Sequence, residues 1–388
     1  MTTKPTDRSE LALDQLRATI HPLMREHHVP GLSIAVTSDR ELLYAKGFGW
    51  ADLAHQRPAT ADTGYLWFSM SKIATATAAM RLADAGRLDL DAPVTAFLPS
   101  YRARSLIRRR GHRPEPRIRQ LLNHTAGAPN PLPLRWIQTA DQPDSQAREL
   151  VEHLRDRARP TRPIGTTARY SNLGYLLLAE IIATAAAEPF EQYVHRAVLD
   201  PSGMTRTGYT RLPGVEHATG YVRLPRPLTP ILRAVLPRGA VDSRQSRYVA
   251  LRPFRVSCPG YGGLIGSPVE AAKLLRVHLA DGAIDGQRIL APDTARAMRD
   301  IRTPGRPFDL GLGWFRRPAD RDARPSFVEH WGTGGGYWNA MRLYPELRLG
   351  IVVMANTTSP YNHHALMSTA VQALAPGSGR VDGRPAHG

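Results

Sequence analysis

The chain has 388 residues, 42% of them hydrophobic, a globular composition that excludes disordered and fibrous classes. Its formal net charge is +17, yet the basic residues are almost all arginine and no recognised nucleic-acid-binding motif accompanies them, so we predict no nucleic-acid partner. No uninterrupted apolar run reaches the roughly 18 residues that a membrane span needs.

The N-terminal elements begin with an amphipathic helix. Apolar residues recur at three- and four-residue steps over residues 11–27, and Pro30-Gly31 ends the pattern. Residues 32–37 and 41–50 read as two strands joined by a turn, which predicts a hairpin. A helix followed by a hairpin indicates a mixed α/β layer.

The rest of the chain is helical in the middle and strand-rich near its end. Helices are predicted at 71–85, 144–157, 173–187, 263–280 and 364–374, and strands at 327–330, 337–344 and 349–354. We expect both strand-rich ends to share one antiparallel sheet in an α/β lobe (11–85 and 260–374), beside a mainly helical lobe (86–259). The crevice between the lobes is the expected site, and 375–388 the expected frayed tail.

The segment Phe68-Ser69-Met70-Ser71-Lys72 begins the alanine-rich helix. Residues three apart share one helix face, so Ser69 and Lys72 can touch. A serine hydroxyl needs a base to become a nucleophile, and a buried lysine can supply a neutral amine. Arginine cannot, which makes a lysine in this arginine-rich chain distinctive. The alternative is an N-cap serine followed by a solvated lysine.

Two further segments carry polar side chains suited to the same chemistry. Tyr170 could transfer protons beside a lysine, and Asn172 could hold that lysine or a substrate; the alternative is a simple helix cap. In His330-Trp331-Gly332-Thr333, glycine permits close backbone approach, and the N–H groups of Ser69 and Thr333 could form an oxyanion hole. The alternative there is a flexible hairpin loop.

Taken together, these motifs resemble the serine β-lactamase and penicillin-binding protein superfamily, in particular its class C-like esterases and D-aminopeptidases. The three motifs occur in the family order, and other segments resemble family landmarks: 48–53, 121–127, 201–204, 261–263 and 310–314. The resemblance covers residues 11–374. It implies an antiparallel sheet flanked by N- and C-terminal helices, with an all-helical lobe.

The resemblance implies that Ser69 forms an acyl-enzyme on a small ester or amide. Lys72 and Tyr170 would handle protons, Asn172 would position them, and Gly332-Thr333 would support the oxyanion. His330 stands where many enzymes acting on penicillins have lysine, which weakens the case for lactam hydrolysis. The main hypothesis is therefore a carboxylesterase-like hydrolase. The alternatives are β-lactamase, D-aminopeptidase or acyltransferase activity, or a non-catalytic binding or sensor protein. No metal or organic cofactor is implied.

Three further expectations concern the surroundings of the protein. The N-terminus lacks signal-peptide features and Cys258 is the only cysteine, so we expect a cytoplasmic protein with Cys258 as a buried residue. Residues 221–256 form an arginine- and proline-rich insert, in which 227–237 has one apolar helix face. That face could form a lid, pack against the helical lobe, or dock peripherally on an anionic membrane.

Overall fold

The computed structural model of the chain describes residues 7–99, 101, 115–131, 136–139, 144–158 and 160–375. Apart from Ala375, the predicted tail lies outside this range. The described α-helices are α1 (Asp7–Glu26), α2 (Ser71–Asp84), α3 (Ile118–Leu122), α4 (Asp144–Arg157), α5 (Asn172–Ala186), α6 (Phe190–Val194), α7 (Thr229–Val235), α8 (Pro259–Gly262), α9 (Pro268–Leu279), α10 (Pro292–Arg299) and α11 (His363–Leu374).

Longer and shorter strands alternate with these helices. They are β1 (Gly31–Ser38), β2 (Leu42–Asp52), β3 (Arg57–Pro58), β4 (Tyr65–Leu66), β5 (Ile137–Thr139), β6 (Tyr221–Arg223), β7 (Val241–Gln245), β8 (Tyr248–Leu251), β9 (Phe254–Val256), β10 (Ile265–Gly266), β11 (Ala283–Ile284), β12 (Gln287–Arg288), β13 (Asp309–Leu310), β14 (Phe315–Arg316), β15 (Val328–Gly334), β16 (Tyr337–Tyr344) and β17 (Leu349–Ala355).

One antiparallel sheet of eight strands joins the two ends of the chain, in the order β13-β14-β15-β16-β17-β1-β2-β3. The central strand β1 pairs with β17 on one side and β2 on the other, so Ile34 lies opposite both Val353 and Lys46. Seven of its eight residues are buried. This arrangement confirms the predicted sheet, because a strand buried on both faces needs the apolar, β-branched residues that the sequence places there.

Each face of the sheet is covered by helices. On one face α1 and α11 pack together, and Leu16, Ile20 and Leu366 of these helices are fully buried. On the other face lie α9 and a helical layer built around α2 and α5. Helix α2 is rich in alanine, which favours helix and lets neighbouring backbones approach closely. Helix α5 is apolar on nearly every side, as expected of a helix buried in a core.

The middle of the chain contains small sheets as well as helices. Strand β5 pairs with β9, and the insert folds into a three-stranded sheet in the order β6-β8-β7. The fold class is confirmed, whereas the proposed lobe boundaries stay a prediction. Within the described ranges no single helix is long and apolar enough to cross a membrane; the bent pair 172–186 and 190–202 meets the criterion together, by length and composition.

Candidate active site

Ser69 lies in a 3-10 turn, Phe68–Met70, that leads directly into α2. Its side chain is partly exposed, while those of both turn neighbours are buried. Phe68 adopts a left-handed φ of 48°, which is unfavourable for a residue with a side chain. Its ring packs 6.3 Å from the ring of Phe254 and 6.2 Å from that of Tyr337. This aromatic packing holds the strained turn that presents Ser69.

Lys72 is fully buried one helical turn beyond Ser69. Its Nζ lies 2.9 Å from Ser69 Oγ, 2.8 Å from Asn172 Oδ1 and 2.8 Å from the carbonyl oxygen of Tyr261. Burial lowers the pKa of the Lys72 ammonium well below its ordinary value. A neutral amine has two N–H bonds and one lone pair. Because Asn172 Oδ1 and the Tyr261 carbonyl can only accept, the lone pair is left for the Ser69 hydroxyl.

The start of α5 shows whether the segment from Tyr170 to Asn172 is a simple helix cap or contacts Lys72. Ser171 caps the helix, since its Oγ accepts a hydrogen bond from Gly174 N at 3.2 Å. Asn172 is therefore not needed as the cap. Its backbone N–H donates to Asn130 Oδ1 at 3.0 Å, and its side chain reaches Lys72. The same segment thus contains both a helix cap and a contact to the buried lysine.

Tyr170 lies beside both Ser69 and Lys72. Its ring centroid is 4.9 Å from Lys72 Nζ, and Ser69 lies close enough to influence the pKa of its hydroxyl. Burial raises the pKa of Tyr170 above its ordinary value, and the interaction with Ser69 opposes that rise only in part. The group facing Ser69 is a neutral phenol, which can donate a proton.

His124 packs against the ring of Tyr170. It is buried with a φ of 57°, and its ring stacks 4.6 Å from that of Tyr170 and 5.1 Å from that of Tyr175. Its Nδ1 accepts the backbone N–H of Ser171 at 3.0 Å, which places the proton of the neutral ring on Nε2. Burial lowers the pKa of His124 well below its ordinary value, and the nearby Lys72 adds to this effect. This agrees with a hydrogen-bonded core histidine.

Strand β15 lies directly against the turn that holds Ser69. A Cβ on Gly332 would be 1.8 Å from the carbonyl oxygen of Trp67 and 3.1 Å from Met70 N, so only glycine fits there. Gly332 is in regular pairing with Asn339 of β16, and the next residue, Thr333, is exposed. The glycine-rich segment is therefore an ordered strand and not a flexible loop.

His330 points from β15 to the same face as Gly332, because residues two apart in a strand share a face. It is fully buried, and its ring lies 6.2 Å from the ring of Tyr170 and 4.7 Å from that of Phe315. Its Nδ1 donates to the carbonyl of Trp331 at 2.8 Å, whereas Nε2 is buried without a partner. Burial and then Lys72 lower the pKa of His330 to about 3, so the ring is neutral at physiological pH.

Sequence reasoning missed one polar contact of the site. The Tyr261 carbonyl, on α8, accepts from Lys72, and the ring of the same residue lies 5.2 Å from Lys72 Nζ. Residues 261–263 were noted only as a family landmark. A backbone acceptor has no side-chain signature, so no sequence signal could assign this contact.

A second polar cluster lies on the opposite face of β15. Glu329, His363 and His364 could each offer a metal ligand, with the three atoms within 4.8 Å of one another. However, Arg342 binds Glu329 Oε2 at 2.6 Å and also contacts His364 Nδ1. A cation there would face the buried Arg342 guanidinium, and a His364 ring that accepts at Nδ1 carries its proton on Nε2. The donor set fits a buried ion-pair network better than a metal centre.

Comparisons with known proteins agree with this geometry. A family model described as Beta-lactamase matches residues 16–375. Esterase EstB of Burkholderia gladioli is 27% identical over 392 residues, which cover 92% of this chain and 95% of that protein.

Two solved structures support the fold. A penicillin-binding protein homologue from Pyrococcus abyssi, described as octameric, has a TM-score of 0.76 at 24% identity and covers 92% of this chain and 76% of its own. EstCE1, described as a hydrolase with promiscuous acyltransferase activity, has a TM-score of 0.72 at 22% identity, and the match covers 95% of this chain and 100% of EstCE1. The resemblance predicted from the motifs is confirmed: this chain belongs to the Beta-lactamase family, among relatives that include esterases and penicillin-binding protein homologues.

Proposed function

We propose that this protein is a serine hydrolase with carboxylesterase-like activity that acts through an acyl-enzyme on Ser69. The observation that carries the proposal is the position of Lys72. Its amine is buried 2.9 Å from Ser69 Oγ, and two obligatory acceptors take up both of its N–H bonds. A base is thereby aimed at the hydroxyl proton of a partly exposed serine.

The proposed reaction begins when Ser69 Oγ attacks the ester carbonyl and its proton moves to Lys72 Nζ. The oxyanion of the tetrahedral intermediate would be held by the backbone N–H groups of Ser69 and Thr333. As the carbonyl re-forms, the C–O bond to the alcohol breaks, and Tyr170 donates its phenolic proton to the departing oxygen. The proton on Lys72 then restores the phenol. Water next attacks the acyl carbonyl while one of its protons moves to the neutral Lys72 Nζ. The bond between the acyl carbon and Ser69 Oγ then breaks, and that proton passes from Lys72 to Ser69 Oγ as the carboxylic acid leaves.

The neutral, buried His330 supports an ester over a penicillin as substrate. A carboxylate next to the scissile bond is bound well by a cation, and His330, with a pKa of about 3, offers none near pH 7. An ester needs no such contact. Esterase EstB is the relative whose described activity fits this choice.

The test is the release of nitrophenol from short-chain nitrophenyl esters by the wild type and by Ser69→Ala. Ser202→Ala is a matched control, because Ser202 Oγ is buried without a hydrogen-bond partner and outside the site. We expect turnover by the wild type and the control, and none by Ser69→Ala. Turnover of a chromogenic cephalosporin with the esters left intact would favour β-lactamase activity. A single burst of nitrophenol followed by acyl transfer to an added alcohol would favour an acyltransferase.

A further inference from the structure

The insert at residues 221–256 carries a large positive charge that has no role in the proposed hydrolase reaction. It contains eight arginines and a single acidic residue, Asp242. Strands β6, β8 and β7 form its sheet, and the short helix α7 lies between β6 and β7. Six of its arginines, at 223, 226, 233, 238, 247 and 252, are exposed.

Four of the eight arginines line an open depression of about 750 Å³, together with Leu224, Pro225, Ser246 and Ser359; they are Arg223, Arg226, Arg244 and Arg247. Arg244 has a structural role: it donates to the carbonyl of Leu224 at 2.7 Å and to Thr229 Oγ1 at 2.9 Å. In the part of the chain that the structure describes, the side chains of Arg223 and Arg226 have no hydrogen-bond partner, whereas Arg247 Nη1 contacts His28 Nδ1 at 3.1 Å and keeps its other N–H groups for a ligand. Within the described residues, none of the four lining arginines has a carboxylate at salt-bridge distance. An anion would therefore enter a positive field with no counter-charge.

The segment that follows the lining residues 223–226 in the chain carries exposed apolar side chains. Leu228 is 41% exposed and Ile231 is 58% exposed, two of the four large hydrophobic residues exposed in the described ranges. They are three residues apart at the start of α7, which places them on one face. No residue of α7 is buried, but Leu236, directly after it, packs against the main core. Ordinary packing therefore accounts for the C-terminal end of the apolar face and leaves Leu228 and Ile231 uncovered.

We propose that the insert is a docking surface for an anionic phospholipid bilayer. Arg223, Arg226 and Arg247 would contact lipid phosphates, while Leu228 and Ile231 would enter the acyl region. Basic residues beside an exposed aliphatic face are the pattern of an interfacial helix. Nucleic acid is a poorer fit, because a phosphate backbone offers nothing to the two aliphatic side chains, and base stacking would call for exposed aromatic ones.

The insert that carries this surface also reaches the neighbourhood of the proposed catalytic serine. The insert packs on the β15–β16 hairpin, where a Cβ on Gly335 would lie 3.3 Å from Leu251 Cδ1 and 3.6 Å from Phe254 Cζ. Phe254 in turn contacts Phe68, the residue before Ser69. The docking proposal does not depend on the hydrolase proposal, since it concerns binding alone.

The test is co-sedimentation of the full chain with phosphatidylcholine vesicles, with and without about 30% phosphatidylglycerol. Arg223→Glu with Arg226→Glu is compared with Arg40→Glu and Arg302→Glu, two exposed arginines elsewhere whose reversal changes the net charge equally. Since each arginine near an anionic surface contributes about fivefold, we expect the insert pair to lose at least about 25-fold in binding and the control pair much less.

A second pair tests the apolar contact. Leu228→Ser with Ile231→Ser should weaken binding to the anionic vesicles about tenfold or more, while Leu42→Ser, at a 43% exposed leucine of the sheet, should not. Equal losses in the insert and control arginine pairs would overturn the proposal, because net charge alone would then explain binding. So would binding to duplex DNA in place of vesicles, or to inorganic phosphate without vesicles. Unchanged melting temperatures show that the variants are folded.

Discussion

Replacing Lys72 by arginine separates its charge from its basicity. An unperturbed lysine has a pKa of about 10.4 and is neutral in roughly one molecule in 2,500 at pH 7. Burial at Lys72 lowers the pKa and so raises the neutral fraction by orders of magnitude. Arginine stays protonated in proteins, so Lys72→Arg keeps a long basic side chain but places a permanent cation there and removes the base. Loss of general-base catalysis predicts a fall in kcat/KM of about 10² to 10⁴.

The assay is nitrophenyl ester hydrolysis by the purified variants. Lys273→Arg is the matched control, because Lys273 is partly exposed and binds Glu270 and the Gly203 carbonyl, contacts that arginine can also make. We expect the control to retain nearly full activity. A folded Lys72→Arg protein with more than about a tenth of wild-type kcat/KM would refute the assignment of Lys72 as the base.

The same lysine predicts a pH-dependent stability. Its pKa in the folded protein is below the unfolded value, so unfolding takes up a proton between the two values, and the wild type gains stability as pH rises through that interval. Relative to Lys72→Met, the gain approaches about 1.4 kcal/mol per pH unit. Urea unfolding of both proteins between about pH 8 and 9.5 measures it. A difference that stays constant with pH would show that Lys72 is protonated in the folded state.

Three further predictions concern β15 and its neighbours. Gly332→Ala should lower kcat/KM and cost about 1–3 kcal/mol in stability, because its Cβ would overlap the Trp67 carbonyl. In the same hairpin, Gly335→Ala should cost much less stability, because its Cβ would lie 3.3 Å from a leucine side chain. His330→Gln should keep the acidic limb of the pH profile of kcat/KM, because the pKa of His330, about 3, lies below that limb; loss of the limb would assign it to His330. Arg342→Met should cost about 3–5 kcal/mol in urea unfolding by leaving Glu329 buried and unpaired, and adding Glu329→Leu should recover most of that loss; a double variant as unstable as the single one would contradict this.

The parts of the site that depend on local spacing could be predicted from the sequence. Ser69 and Lys72 are three residues apart at a helix start, and that spacing alone requires their side chains to be close. Tyr170 and Asn172 lie on either side of the helix cap Ser171, so their closeness also follows from the sequence. The contact between the two segments spans 100 residues, and only the joint resemblance to a family suggested it.

Other features depend on tertiary packing and had no sequence signal. The left-handed Phe68 is stabilised by rings from distant strands, and the histidine at 330 is neutral because the fold buries it beside Lys72. In the insert, the sequence predicts the helix that the structure shows as α7, but it does not predict the sheet formed by β6, β8 and β7. Arginines and prolines interrupt the alternation that identifies strands such as β7.

Covalent labelling of the nucleophile tests the central claim most directly. The wild type, Ser69→Ala and Lys72→Arg would each be treated with an activated ester or a phosphonate probe, and the adduct located by peptide mass spectrometry. The account predicts one adduct, on Ser69, that is absent in Ser69→Ala and forms far more slowly in Lys72→Arg. An adduct on another residue, or equal labelling of Ser69→Ala, would contradict it.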